Sequence, residues 1–169
     1  MIGTVHVEAM PDNGVDEVAW VEQQMMTTVT DDMTSSSNYV KGYVASANLT
    51  HEDIEQQLQL LLKTTTPNKL RGIRWIVDCV GKYMEGGQST ATHVGTKRHD
   101  GIDYLKLPEF ERGLALLEKF NLSFDLQCAP IQLVESAAAL FGKYQSLKVC
   151  IHLRDSSYVS HSPFAQDGH

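Results

Sequence analysis

Polar side chains that could carry chemistry alternate with apolar ones in several short stretches of the sequence. The pairs are His6 with Glu8, Gly72 with Arg74, and Asp125 with Gln127. Because successive side chains of a strand point to opposite faces, the two members of each pair share a face. Strands of a covered parallel sheet are normally near-continuously apolar, so these polar positions need an explanation. They indicate either a site at the mouth of a barrel or a sheet with one solvated face or an exposed edge.

Arg74 is the most specific of these candidates. Its guanidinium stays charged, so it must be paired or solvated, and it can hold a substrate carboxylate or lactone oxygen through two parallel hydrogen bonds. The alternative is an ion pair with Asp125 or Glu8 inside the fold. These two carboxylates are candidates for a general base or a metal ligand, because a closed site tunes the pKa of a carboxyl group. His6 is a weaker candidate, since a single His in a strand is more often a hydrogen-bonded core residue.

Strands and helices alternate along the chain and must position these side chains. The pattern predicts five strands, near residues 4–9, 42–47, 71–77, 123–128 and 148–153, with helices in between. Such alternation predicts a parallel sheet. A long Gly-, Thr- and Ser-rich insertion over residues 81–103 carries His93 and His99, and it reads as a mobile lid or plain surface rather than a metal site.

Two helices are predicted in most detail. The first begins at Pro108, which suits a first helical turn, and ends at Asn121, which tolerates the left-handed conformation. Its buried stripe is expected to comprise Phe110, Leu114 and Leu117. The second covers residues 130–144, with an expected buried face of Val134, Ala137, Ala138 and Phe141.

Composition narrows the class of protein. The chain has 169 residues, of which 42% are hydrophobic, and this is enough for one domain with a core. A net charge of −7 argues against nucleic acid or an anionic membrane as a partner. The three cysteines, Cys79, Cys128 and Cys150, lie in or beside apolar segments and show no metal-binding spacing, so we expect reduced core thiols. With no leader or long apolar run in the sequence, a cytoplasmic protein is expected.

Five segments in order resemble the amidohydrolase-related family, specifically its lactonase branch, which includes 2-pyrone-4,6-dicarboxylate lactonase and sugar lactonases. They are VHVEA, EVAWVE, LRGIRWIV, EFERGLALLEKFNLSFDLQ and APIQL. The resemblance implies a (β/α)8 barrel that hydrolyses a cyclic ester or a related bond, with a divalent metal such as zinc in some relatives. It implies that Arg74 holds substrate, that Glu8 is the acidic end of the first strand, and that Asp125 and Gln127 are the polar end of the FDL strand.

The chain also departs from that family. The strand that ends in His-x-His has no counterpart, and Ile151-His152-Leu153 stands where the family has Ile-Asp-His-Leu-Gly. A one-residue deletion reverses which face of the strand the following side chains point to, and this argues against His152 facing the site. A (β/α)8 barrel needs about 200 residues or more.

The sequence therefore predicts an α/β fold, a partial (β/α)8 barrel of about five parallel strands over residues 1–153 that does not close, followed by a disordered tail over 154–169. Glu8, Asp125 and His152 are the catalytic candidates, Arg74, His6 and Gln127 the substrate-binding ones, and no metal ligand is assigned. We expect a truncated lactone hydrolase with little activity of its own. The alternatives are a non-catalytic half-barrel that pairs through its open sheet edges, and a flavodoxin-like domain, which the single Gly in residues 9–14 disfavours.

Overall fold

A single sheet of five parallel strands organises the molecule. The computed structural model describes residues 3–27, 40–77 and 102–153. Strand order in the sheet follows chain order, as in a (β/α)8 barrel, where each strand lies beside the next. Among the described residues the first and last strands do not pair with each other, so the predicted open, partial barrel is confirmed. The strands are β1 (Thr4–Val7), β2 (Val40–Ser46), β3 (Leu70–Ile76), β4 (Ser123–Cys128) and β5 (Val149–Leu153).

Helices occupy the connections between the strands. They are α1 (Gly14–Thr27), α2 (Ile54–Thr64), α3 (Pro108–Lys119) and a continuous helical segment, here α4, made of Pro130–Gln132, Leu133–Ala137 and Ala138–Phe141. A 3₁₀ turn, Tyr104–Lys106, leads into α3. None of the helices in the described part of the chain combines the length and apolarity needed to cross a bilayer. Residues 81–101 of the predicted insertion and the predicted tail fall outside the described residues, whereas the end of the insertion, Ile102 and Asp103, is described.

Helix α3 follows its sequence pattern closely. Pro108 is its first residue, where a missing N–H costs no hydrogen bond. Phe110, Leu114 and Leu117 are fully buried, and Asn121 adopts a positive φ of 54° just beyond the helix. The prediction for this helix and its end is confirmed.

Helix α4 buries only part of the predicted face: Ala137 is buried and Phe141 packs against the core, but the other two residues do neither. Val134 is 79% exposed and Ala138 is exposed, whereas Leu140 is buried; Ala137 is buried as expected. The central part, Leu133–Ala137, is π-helical. A π-helical turn takes up an extra residue, so the residues that follow are rotated relative to a regular 3.6-residue pattern.

The apolar core lies on one side of the sheet, between the strands and the helices. It includes Tyr43, Ala45, Ile73 and Trp75 from β2 and β3, and Phe124 and Leu126 from β4. We call the opposite side of the sheet the inner face. Cys128 belongs to the core, but Cys150 is exposed, so the prediction that all three cysteines are core thiols is wrong for Cys150; Cys79 lies outside the described residues.

Candidate functional site

Register between neighbouring strands brings the polar candidates together on the inner face. The strand partners at one level are Ser46, Arg74, Asp125 and Cys150. One level further along the strands, Gln127 of β4 is the partner of His152 of β5. Since paired residues of parallel strands point to the same side, these residues share the inner face, while their sequence neighbours such as Trp75 and Leu126 enter the core.

Arg74, Asp125 and His152 are in direct contact there. Arg74 Nη2 lies 3.2 Å from Asp125 Oδ2 and 3.2 Å from His152 Nε2. His152 Nε2 is in turn 3.4 Å from the same Asp125 oxygen. The ion pair that was an alternative for Arg74 is therefore present, but it includes a third group. The one-residue deletion argued against His152 facing the site, but His152 does face it. Its orientation is set by the β4–β5 register, in which it is the partner of Gln127.

The cluster remains open on one side. The side chains of Arg74 and Asp125 are 18% and 11% exposed, and that of His152 is 42% exposed. Arg74 Nε has no hydrogen-bond partner among the described residues, although the atom is buried. A guanidinium is a planar fork of five N–H donors, so this one can still bind an oxygen of a ligand while it contacts Asp125.

Glu8 lies at the end of β1, near the same level of the sheet. Its N–H donates to the carbonyl of Val44, and its Oε2 accepts the N–H of Met10 at 2.6 Å. Burial raises the pKa of the Glu8 carboxyl above its ordinary value, although the Met10 bond and the positive charge of Arg74 act in the opposite direction. A buried carboxyl with a raised pKa is the kind of group that acts as a general acid or base.

His6 does not join this group. Its register partner is Tyr43, a core residue, and the two rings are 5.9 Å apart. His6 Nε2 lies 3.5 Å from Glu17 Oε1 of α1. By register, His6 lies on the helix side of the sheet, whereas Arg74 lies on the inner face. Glu8 comes after the last residue of β1, so the alternation of that strand does not fix the direction of its side chain. His6 therefore packs between β1 and α1.

Cys150 is a member of the cluster that the sequence did not suggest. Its Sγ lies 3.5 Å from His152 Nε2, and it stands opposite Asp125 in the sheet. One ligand atom from each of Asp125, Cys150 and His152 lies within 4.8 Å of the others. A carboxylate, a thiolate and an imidazole are ligands that zinc accepts. The sequence feature that could have revealed Cys150 is its spacing from His152, because residues two apart in a strand point to the same face.

A second polar cluster lies on the helix side, at the carboxyl ends of β3 and β4. Asp103 is buried and accepts hydrogen bonds from Ser136 Oγ at 2.5 Å and Gln132 Nε2 at 2.9 Å. Gln132 Nε2 also donates to the Val77 carbonyl, and Gln132 Oε1 accepts the N–H of Ala129. Burial alone would raise the pKa of Asp103, but the Ser136 and Gln132 bonds and the charge of Lys106 outweigh it and lower that pKa.

Comparison with known proteins places the fold. No protein-family model matches the chain, and no curated protein matches it. An amidohydrolase from Burkholderia multivorans, crystallised with bound zinc, is similar in structure, with a TM-score of 0.57 at 16% sequence identity. The same amidohydrolase in a second crystal form, with bound HEPES, gives a TM-score of 0.55 at 17% identity.

The similarity covers most of this chain and a minor part of the other. It extends over 89% and 88% of this chain, but over only 41% and 40% of the two amidohydrolase chains. The chain thus spans about two-fifths of the length of the solved structures that it matches. At this level of identity the likeness establishes the fold alone, a part of a (β/α)8-type barrel.

Proposed function

We propose that this chain provides substrate-binding and proton-transfer groups of an amidohydrolase-type hydrolase, and that the substrate is a lactone. The observation that carries the proposal is the contact of Arg74, Asp125 and His152 on the inner face of a parallel sheet. In barrels of this kind, catalytic residues come from the ends of several strands. The fold likeness to an amidohydrolase and the sequence resemblance to lactonases support the reaction class.

Arg74 is the proposed substrate-binding residue. Its guanidinium has five N–H donors and its side chain is 18% exposed, so it can donate to the lactone carbonyl oxygen or to a substrate carboxylate. As water attacks the carbonyl, negative charge develops on that oxygen, and a fixed cation beside it stabilises the transition state more than the ground state. The Asp125 carboxylate keeps the guanidinium in place, since their polar atoms are 3.2 Å apart.

Proton transfer is assigned to His152, Asp125 and Glu8. One of these groups accepts a proton from the attacking water, the new C–O bond forms at the carbonyl carbon, and the ring C–O bond breaks. The departing ring oxygen takes up a proton, so the product is an open hydroxy acid. Gln127, beside His152 in the sheet, has an amide suited to hydrogen bonding of substrate hydroxyls.

Catalysis by this chain alone is expected to be weak. Within the described residues, the proposed site has one arginine (Arg74), two carboxylates (Asp125 and Glu8) and one histidine (His152). The matched amidohydrolases are more than twice as long as this chain. Binding is therefore the more direct test. Isothermal titration with 2-pyrone-4,6-dicarboxylate and with gluconolactone should detect binding of at least one, and turnover should fall well below that of complete lactonases.

The decisive variant is Arg74→Met. It should weaken binding of the lactone by about tenfold or more, since a charge-assisted hydrogen bond contributes about 1.5–3 kcal/mol. Arg71→Met is the matched control, because Arg71 lies in the same strand but is exposed. Equal binding by wild type and Arg74→Met would contradict the proposal, and so would the absence of both binding and turnover.

A second candidate function is self-association of a non-catalytic half-barrel. Within the described residues, β1 pairs only with β2 and β5 only with β4, and their edge residues Val5 and Ile151 are 59% and 51% exposed. An unpaired strand edge is a template for pairing with another chain. Light scattering should then show a dimer or larger species that Ile151→Lys disrupts, whereas a monodisperse monomer would contradict it.

A further inference from the structure

The thiol of Cys150 adds a soft ligand to two harder ones. We propose that Asp125, Cys150 and His152 form a binding site for a divalent transition-metal ion such as zinc, with Cys150 as a ligand. This goes beyond the hydrolase proposal and does not depend on it, because metal binding can be measured without any substrate.

Sheet geometry sets the spacing of the ligands. Cys150 and His152 are two residues apart in β5, so they point to the same side, and Asp125 is the direct partner of Cys150 in β4. Metal–ligand bonds of about 2.0–2.3 Å in a tetrahedral site separate neighbouring ligand atoms by roughly 3.3–3.8 Å. The observed separations are 3.5 Å between Cys150 Sγ and His152 Nε2, and 3.4 Å between His152 Nε2 and Asp125 Oδ2. Two of the three ligand–ligand distances therefore already match those of a tetrahedral metal site.

The ligand types determine which ions fit. Thiolate and imidazole favour zinc, cobalt or copper over magnesium and calcium, which prefer oxygen ligands. Three protein ligands leave a fourth position free for water or another donor. Cys150 is exposed, so an ion can reach the site from solvent.

Arg74 is a built-in competitor for this site. Its Nη2 lies 3.2 Å from both Asp125 Oδ2 and His152 Nε2, so the guanidinium stands where an ion would bridge the two ligands. Binding of a dication must displace the guanidinium against Coulomb repulsion. The arrangement therefore makes an unusual prediction: removing a residue of the cluster should strengthen metal binding.

Cobalt provides a direct readout of the thiolate. The full chain, reduced and purified, is titrated with cobalt(II), and zinc(II) is then added to the cobalt-loaded protein. Wild-type protein should show visible d–d bands and a thiolate-to-cobalt charge-transfer band in the near ultraviolet, and one equivalent of zinc should abolish them. Cys150→Ser should lose the charge-transfer band and bind cobalt at least about tenfold more weakly.

Two further variants test the assignment. Cys128→Ala removes the core thiol of the neighbouring strand and should keep the charge-transfer band. Arg74→Met should bind cobalt at least about tenfold more tightly, because a unit charge within about 4–5 Å of a dication is removed. Circular dichroism verifies that each variant is folded.

Three results would overturn the site. They are a wild-type protein without a charge-transfer band, a band that persists in Cys150→Ser, and an Arg74→Met variant that binds cobalt no more tightly than wild type. The lactone proposal is tested separately, because Arg74→Met is expected to weaken lactone binding and to strengthen metal binding.

Discussion

Two aspartates at the same end of the sheet have different surroundings. Asp103, on the helix side, accepts bonds from Ser136 and Gln132, and Gln132 is itself tied to backbone groups after β3 and β4. Asp125, on the inner face, uses one oxygen for both Arg74 and His152. The first carboxylate is surrounded by separate donors, whereas the second is shared by two partners that remain partly exposed.

This difference separates a structural role from a binding role. A buried polar network in which every member has its partners holds one conformation, because any rearrangement leaves groups unpaired in a low-dielectric environment. A cluster whose members share one atom next to solvent can exchange a protein partner for a ligand. Asp103 therefore fastens α4 to the ends of the strands, and Asp125 belongs to the group available for chemistry.

The largest expected effect is on stability. Asp103→Ala should lower the free energy of unfolding by about 3 kcal/mol, because it leaves buried donors of Ser136 and Gln132 without an acceptor. Asp125→Ala should cost about 2 kcal/mol, because water can reach part of the Arg74 and His152 side chains that remain, which are 18% and 42% exposed. Urea unfolding followed by circular dichroism measures both values. Equal losses, or a larger loss for Asp125→Ala, would remove the distinction between the two clusters.

Sequence patterns predicted the framework and part of the inner face. Alternating strands and helices predicted a parallel sheet, and period-two alternation put Arg74 and Asp125 on a common face. These features depend on local periodicity, which the sequence carries directly. The role of His6 could not be inferred in this way, because its orientation relative to Arg74 depends on register across three strands.

The buried cluster was missed for a related reason. Asp103 falls at the end of a Gly-rich insertion, and Gln132 and Ser136 read as polar residues of an amphipathic helix. Both are buried on the helix side of the sheet, whereas the predicted buried face contained Val134 and Ala138. Ser136 lies within the π-helical Leu133–Ala137, and a regular 3.6-residue period does not describe such a segment. Cys150 was assigned to the core from its apolar neighbours, although β5 has no partner on its far side among the described residues.

Acid should weaken the Asp103 cluster selectively. Because the folded-state pKa of Asp103 is lowered, its ionised form contributes stability above the ordinary value of 3.8, and this contribution is lost as the pH falls through the folded-state pKa. Wild type should exceed Asp103→Asn in stability by about 1–2 kcal/mol at neutral pH, and the gap should close in acid. Ser136→Ala, which keeps the carboxylate but removes one donor, should lose its stability at a higher pH than wild type. Urea midpoints at a series of pH values test this, and a gap that is independent of pH would contradict it.

The smallest expected effect concerns Glu8 and has the opposite sign. Burial raises the pKa of Glu8 from 4.5, so the folded chain holds that proton more tightly than the unfolded chain. Stability attributable to Glu8 is therefore complete below 4.5 and declines as the pH rises through the raised folded-state pKa. Glu8→Gln keeps an oxygen that can accept the Met10 N–H but does not ionise. The variant should match wild type in acid and become slightly more stable at neutral pH, as measured by urea midpoints. A variant that is less stable than wild type at neutral pH would mean that the ionised carboxylate is held by Arg74 as firmly as Asp125 is, and Glu8 would then be a structural partner rather than a free proton carrier.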